Sequence, residues 1–482
     1  MNPQEVAALS LIASLVVYTA VAFLSADSAR SAQQFYNNAG NVFRAIISLT
    51  CFNITLGTGV AYVISQTIAT GYFSLLTPFS LMFGYVILGQ YMKRLGYMAS
   101  EPNPNIYRLL ESPTKTGFAR SWLRTCYSFV LAVTFVLIVA YELWIGSGLI
   151  ASLIFSHPSI ALKISMAVGI YLIVAIYTSI GGLRAAVDTD LVQGGAIIGF
   201  ILAFGHILLL SPEHTSAVVA NAPRGTLLEV LLATILAAIT AVTTQFYSIV
   251  NGTFGPHFTP PQQRWIFTAT GIVSGFFYAV LVVLFLMSGR HIEFQTIVQQ
   301  IVDGSIKVGW GWVLLLSLGM IAIILSTLDN ASVSISQVVY ENVLGKNSFD
   351  EQTVKSTRGV REAHFLASLA VVCITIEFVV LNLNAFYTLL TVLFALSVAS
   401  PLIAAAIYLH GRGRSSVIDN PFVACFVFIA ISVGWYFYAE ATLAADRTTG
   451  PLLHIAFFLV SLVIAIVDAN RGRARVVTGI PT

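Results

Sequence analysis

Two adjacent hydroxyl residues, Ser326 and Thr327, lie inside the apolar stretch Gly319 to Tyr340. On a helix they are about 100° apart, so both can turn toward one point. The carbonyl of Ile323, one turn earlier, keeps a spare lone pair. Three oxygen atoms that converge in this way suit a small hard cation. The alternative is that both hydroxyls bond back to a carbonyl or pack against a neighbouring helix.

A second polar cluster interrupts the apolar run from 43 to 69, and its members are Asn53, Thr55, Gly57, Thr58 and Gly59. Glycine and polar side chains both weaken a regular helix, so this pattern predicts an unwound segment. Unwinding would release the carbonyls of Cys51 and Ile54, which in lipid must find a partner such as an ion. The alternative is a close helix contact built on the small residues 57–59.

Three acidic residues also fall in or beside apolar runs. Intramembrane carboxylates are costly, which makes Glu142 and Glu377 functional candidates, although both lie toward the outer ends of their runs and could simply reach water. Asp190 follows a tight turn predicted at Gly181-Gly182 and starts the next helix. There the helix dipole favours an acid, or the acid lies on the inward route of a leaving cation.

The elements that must position these residues are membrane spans. Of the 482 residues, 57% are hydrophobic and only 9% are charged, and the mean hydropathy is +0.85. This composition indicates an all-α polytopic membrane protein. Runs near 20 residues long, enough to cross the bilayer, occur at 5–25, 43–69, 71–96, 121–155, 158–180, 185–210, 226–252, 262–289, 307–345, 358–381, 385–410, 419–440 and 450–469.

The basic residues predict the orientation of these thirteen spans. With the N-terminus outside, 19 of the 24 Lys and Arg residues fall on the cytoplasmic side and 5 outside. This asymmetry predicts a protein of the cell (inner or plasma) membrane with its C-terminus in the cytoplasm. The net charge of +3 is thus a topology signal and gives no indication of a nucleic-acid partner.

The remaining chemistry-bearing residues indicate no enzyme. The cysteines, which are Cys51, Cys126, Cys373 and Cys425, all fall in apolar runs without metal-ligand spacing and are interpreted as small buried residues. The sequence also shows no nucleophile elbow and no phosphate loop.

Spans two to six and seven to eleven form two groups of five, and an odd number places the second group in the membrane upside down. This predicts an extra N-terminal helix and loop at 1–42, a first five-helix repeat at 43–210 and an extracellular loop at 211–225. A second repeat follows at 226–410, with two C-terminal helices and a short basic cytoplasmic tail at 411–482.

Two motifs carry a resemblance to a known family. The segment YTSIGGLRAAVDTDLVQ, from Tyr177 to Gln193, closely resembles the Y-T-x-x-G-G-x-x-A-V-x-x-T-D-x-x-Q signature of the sodium/solute symporter family. The segment LSTLDNASVSISQVVYE, from Leu325 to Glu341, resembles that family's S-T-A-D-S segment. The span count and the orientation also match.

This resemblance implies a LeuT-like 5+5 inverted repeat and a sodium-coupled symporter. By motif, the sodium ligands are the carbonyls of Cys51, Ile54 and Ile323 and the hydroxyls of Ser326 and Thr327. The family acid near the inner exit of the ion falls on Asp190.

The imported solute would be a small organic molecule such as an amino acid, a monocarboxylate or a similar polar metabolite. The predicted solute contacts lie near the break in span two and on neighbouring spans, and they are Asn53, Thr58, Gln245, Tyr247, Ser74 and Ser397. The alternative function is a non-transporting solute sensor or regulatory subunit on the same scaffold, which would need a signalling partner.

Overall fold

A computed structural model describes residues 2–25, 31–37, 40–92, 118–210, 258–289, 292–344 and 358–381, together with positions 228, 231, 235, 456, 459–464 and 466–467. These ranges are helical and contain no strand. The helices are α1 Pro3–Leu24, α2 Ala32–Asn37, α3 Val42–Asn53, α4 Tyr62–Thr70, α5 Leu76–Met92, α6 Phe118–Ile154, α7 Ile160–Leu210, α8 Pro260–Ser288, α9 Phe294–Val302, α10 Trp310–Val338 and α11 Arg358–Leu381. Shorter turns connect them, namely the π-helical turns Leu56–Ala61 and Val339–Val343 and the 3₁₀ turn Gly71–Leu75.

Within the described ranges, 7 helices are long and apolar enough to cross a membrane, or 8 if one bent pair counts as a span. With the bent pair as span two and the long helix α7 covering both spans five and six, they coincide with predicted spans one to six and eight to ten, which confirms the all-α polytopic class. The spans predicted at 385–410 and 419–440 lie outside the described residues, and those at 226–252 and 450–469 lie mostly outside them. The total of thirteen therefore stays a prediction.

The break predicted in span two is present. Helix α3 ends at Asn53, and the chain resumes as a helix at Leu56 with a bend of 59°. Thr55 between them is extended, with φ −104° and ψ 152°. The neighbouring glycines also make the close contacts of the alternative interpretation, because a Cβ on Gly59 would lie 2.0 Å from the Tyr278 hydroxyl. The two interpretations are thus both correct.

Helix α7 contains the turn predicted between spans five and six. Gly182 interrupts it with φ 58° and ψ −148°, a conformation that strongly favours glycine. A Cβ there would also lie 2.4 Å from the carbonyl oxygen of Phe35. This close approach brings α2 against the turn.

Helix α10 is the centre of the described bundle. In its most apolar stretch 72% of the residues are buried, more than in any other spanning helix of the described ranges. It packs against α1, α3, α6, α7 and α11. A helix that is surrounded on every side can hold polar groups away from lipid, and Ser326, Thr327 and Asp329 are all buried on it.

Candidate ion site and broken helix

Four of the five oxygen atoms predicted to bind a cation lie close together where the broken end of α3 faces α10. The Ser326 hydroxyl lies 3.1 Å from the carbonyl oxygen of Cys51 and 3.0 Å from that of Ile323. The Thr327 hydroxyl lies 3.1 Å from the same Ile323 oxygen. Both hydroxyls do bond back to their own helix, as the alternative interpretation held. Ser326 additionally reaches across to α3, so the two helices share one oxygen cluster.

The fifth predicted oxygen is the carbonyl of Ile54, the residue that follows the end of α3. Its ψ of 94° turns this carbonyl away from the helical direction, while its N–H still donates to the carbonyls of Thr50 and Cys51. The side chain is buried. The structure thus places Ile54 at the point where the helix releases its backbone.

A pair of buried carboxylates lies beside this cluster. Asp190 on α7 accepts hydrogen bonds from the Ser48 hydroxyl, at 2.5 Å, and from the Asn330 side-chain amide, at 2.8 Å. Its second oxygen, Oδ1, is buried and has no hydrogen-bond partner among the described residues. The helical part of α7 that follows the kink at Gly182 begins about two turns before Asp190, so the expectation that Asp190 starts the next helix is wrong. Because the dipole effect fades within one turn, the helix dipole does not explain this acid.

Asp329 on α10 is the second member of the pair, and the sequence interpretation missed it. Its carboxylate accepts from the hydroxyls of Tyr177 and Thr189, both at 3.0 Å, and from the N–H of Asn330 at 2.7 Å. No charged group among the described residues donates a hydrogen bond to Asp329. Asp329 follows Thr327 by two residues within the motif from Leu325 to Glu341. This position is the sequence signal that could have identified it.

Glu142 on α6 holds the second half of the broken helix. One carboxylate oxygen accepts from the N–H groups of Leu56 and Gly57, at 3.1 and 2.8 Å. The other accepts from the N–H of Thr58, at 2.5 Å, and from the Thr58 hydroxyl. Glu142 is fully buried, so the alternative that it simply reaches water does not hold. Glu377, by contrast, is exposed on the surface of α11.

Tyr278 on α8 closes the other side of the break, and the sequence interpretation missed this residue as well. Its hydroxyl donates to the carbonyl oxygen of Asn53 at 2.8 Å and accepts from the N–H of Thr55 at 3.0 Å. These backbone groups have left the regular helix, and the Tyr278 hydroxyl pairs with both of them. Glu142 and Tyr278 together therefore stabilise the break from two neighbouring helices.

The predicted solute contacts divide into three groups. Asn53 and Thr58 flank the break, where both side chains are half-buried. Ser74 is buried in the 3₁₀ turn, where its hydroxyl lies 2.7 Å from the Gly71 carbonyl and 3.1 Å from the Thr67 hydroxyl. The third group lies outside the described residues and consists of Gln245, Tyr247 and Ser397.

An ionic cluster joins the first half of the broken helix to α7. The carboxylate of Asp188 accepts from Arg44 at 2.5 Å and from Arg184 at 2.9 Å. It also accepts from the hydroxyl of Ser25, at the end of α1, at 2.7 Å. Three segments therefore converge on one partly exposed acid at the predicted cytoplasmic side.

No family model matches the sequence, and no curated protein sequence matches it either. Solved structures do resemble the fold. The substrate-bound outward-open state of a Na⁺-coupled sialic acid symporter aligns over 96% of this chain and 97% of its own, with a TM-score of 0.69 and 12% identity. Mhp1, a nucleobase-cation-symport-1 family transporter, in a closed conformation with bromovinylhydantoin bound, covers 93% and 96%, with a TM-score of 0.55 and 13% identity.

At such low identities these similarities establish the fold alone. The chain has the LeuT-like fold of these membrane transporters, which confirms the architecture implied by its motifs.

Proposed function

We propose that this chain is a sodium-coupled symporter that imports a small polar organic solute by alternating access. The observation that carries the proposal is the oxygen cluster between α3 and α10. There the Ser326 hydroxyl lies 3.1 Å from the carbonyl oxygen of Cys51 on α3, which ends two residues later at Asn53. Sodium is a hard cation that prefers such neutral oxygen ligands, and transporters with discontinuous helices use unwound carbonyls to hold it.

The buried acids support a cation at this place. Asp190 and Asp329 flank the cluster, and every described hydrogen-bond donor to them is uncharged. Two unit charges 4 Å apart interact by about 4 kcal/mol at an effective dielectric constant near 20. An ionised carboxylate at this place therefore attracts a monovalent cation, and a bound cation in turn favours the ionised form.

The proposed cycle uses the contacts that join the helices. Sodium, held by Cys51, Ile54, Ile323, Ser326 and Thr327, ties the first half of the broken helix to α10 and favours the outward-open form. Its release inward past Asp190, followed by separation of Arg44 from Asp188, frees that half-helix to move. Rocking of the two repeats, 43–210 and 226–410, would then expose the solute to the cytoplasm.

The energy available from one sodium ion is adequate. One charge moved through 100 mV is worth about 2.3 kcal/mol. This supports roughly 50-fold accumulation, since about 1.4 kcal/mol corresponds to tenfold. A sodium concentration gradient adds to this value.

Solute contacts would come from both repeats. The described candidates are Asn53 and Thr58 at the break and Ser74 in the 3₁₀ turn, while Gln245, Tyr247 and Ser397 lie outside the described residues; all six stay predictions. Orientation with the N-terminus outside the cell membrane is part of the same proposal.

The test is uptake into proteoliposomes. Labelled amino acids, sugars and monocarboxylates are offered with and without an inward sodium gradient, for the wild-type chain and for Ser326→Ala. Sodium-driven accumulation of at least one compound, lost or weakened in Ser326→Ala, is the expected result. Binding without accumulation would favour the sensor alternative. A gradient that changes nothing for any compound would refute symport.

A further inference from the structure

Glu142 uses the full hydrogen-bonding capacity of its carboxylate inside the protein. Three of its four contacts are backbone N–H groups, which can only donate, and the fourth is the Thr58 hydroxyl. An ionised carboxylate offers about four lone-pair sites and no donor, so it fits this pattern. Among the described residues no arginine, lysine or histidine donates to it. Within the part of the chain that the structure describes, only neutral donors thus hold the carboxylate.

The donors to Glu142 are the first N–H groups of a half-helix. Leu56, Gly57 and Thr58 open the segment that continues through α4, and such N-termini carry a partial positive charge. In transporters with discontinuous helices, these N-termini point at the anionic groups of substrates. Here the position that a solute carboxylate would take is filled by the protein itself.

We infer that Glu142 determines the charge specificity of the solute site. It serves as a built-in replacement for an acidic solute group, so the transported solute presents a neutral or cationic group to the break in the helix. This inference rests on the proposed transport function and narrows its substrate class.

Two physical effects act in the same direction. First, an anionic solute finds the strongest anion-binding donors of the break already occupied. Second, the negative charge of Glu142 repels the anionic solute. Two like charges about 5 Å apart at an effective dielectric constant near 20 weaken binding about 200-fold. A solute ammonium or hydroxyl group avoids both effects, and the half-buried Thr58 offers it a neutral contact.

The first experiment removes the internal carboxylate and offers a free one. Thermal unfolding of the purified full-length chain is followed in potassium acetate and in potassium chloride at equal ionic strength. The first variant, Glu142→Ala, removes the carboxylate that the N–H groups of Leu56, Gly57 and Thr58 bind. The second, Glu142→Gln, keeps a side chain of the same size in that position. Glu377→Ala is the matched control, because it removes an exposed carboxylate from another predicted span.

Acetate is expected to raise the Tm of Glu142→Ala by about 2 °C or more, with no acetate-specific shift in the wild-type chain or the other two variants. Equal acetate stabilisation of the wild type would overturn the inference, because the donors would then be open to anions already. If acetate has no effect on folded Glu142→Ala, the inference is overturned too, because the N–H groups of residues 56–58 would then not bind a free carboxylate.

The second experiment needs no variant and stands if Glu142→Ala does not fold. Wild-type proteoliposomes with a sodium gradient are given compounds of one charge type each, namely acetate and pyruvate, glycerol and glucose, and choline and ethanolamine. Sodium-driven accumulation confined to neutral or cationic compounds supports the inference. Accumulation of acetate or pyruvate refutes it while leaving symport intact. If sodium drives no compound, the proposed function fails, and the acetate measurement still decides the role of Glu142.

Discussion

Replacing Ser326 by alanine removes one oxygen from the proposed sodium cluster and little else. The side chain is fully buried, and its hydroxyl lies 3.1 Å from the Cys51 carbonyl oxygen on the facing helix. Alanine is a good helix former, so α10 itself should persist. The variant therefore tests the cluster without rebuilding the bundle.

The expected magnitude follows from the lost contact. A hydrogen-bonding group that faces a charge contributes about 1.5–3 kcal/mol, so sodium affinity should fall about 10- to 100-fold. At a sodium concentration 100 times the wild-type Kd, binding stabilises the folded state by about 2.7 kcal/mol. With a 100-fold weaker Kd, the same concentration gives only about 0.4 kcal/mol.

The assay is the dependence of Tm on sodium, with potassium replacing sodium at constant ionic strength. It needs no knowledge of the solute. Ser317→Ala is the matched control, because Ser317 is also buried on α10 and its hydroxyl lies 2.7 Å from Val313, a carbonyl of its own helix. This control should keep the wild-type sodium response.

The reasoning is refuted if Ser326→Ala and Ser317→Ala show the same sodium response as the wild-type chain. Sodium would then bind elsewhere or not at all. A loss of sodium response in both variants would equally count against a local oxygen cluster, because the effect would come from general destabilisation of α10.

Three further substitutions test the contacts around the site. Asp188→Asn weakens the contact with Arg44 and should free the first half of the broken helix to move. Labelling of Cys51 by a hydrophilic maleimide from the cytoplasmic side, read by mass spectrometry, should then rise several-fold. Unchanged labelling would show that this contact does not hold the half-helix in place. Tyr278→Phe removes the hydroxyl that bonds the Asn53 carbonyl and the Thr55 N–H, and it should cost about 1–3 kcal/mol of unfolding free energy, seen as a lower Tm. Gly182→Ala forces a Cβ to within 2.4 Å of a carbonyl oxygen at a φ of 58°, and it should lower the Tm by more than Gly195→Ala, where the space is open; equal effects would argue against a tight turn.

Much of the membrane architecture could be predicted because its causes are local. A stretch such as 358–381 is apolar enough to span by composition alone, and the structure forms α11 over the same residues. The break near Asn53 was also predictable, because glycine and polar residues weaken a helix wherever they stand together. The turn at Gly182 followed from its glycine pair in the same way.

The partners of the break could not be predicted. Glu142 contacts Gly57 across 85 residues of sequence, and Tyr278 contacts Asn53 across 225. Nothing in the local sequence of Glu142 distinguishes it from Glu377, which points away from the protein interior. The same limit applies to Asp329, whose pairing with Tyr177 and Thr189 depends on how α10 packs against α7.

The amino-acid sequence by itself determined the membrane class, the spans of the described helices, the break and the adjacent hydroxyls, because hydrophobicity and helix propensity act over a single turn or span. Only the tertiary structure decided which buried groups satisfy the released backbone and where the acids converge. Those contacts arise from the packing of helices that are distant in the chain, and in a low-dielectric interior each such polar group must find its partner there.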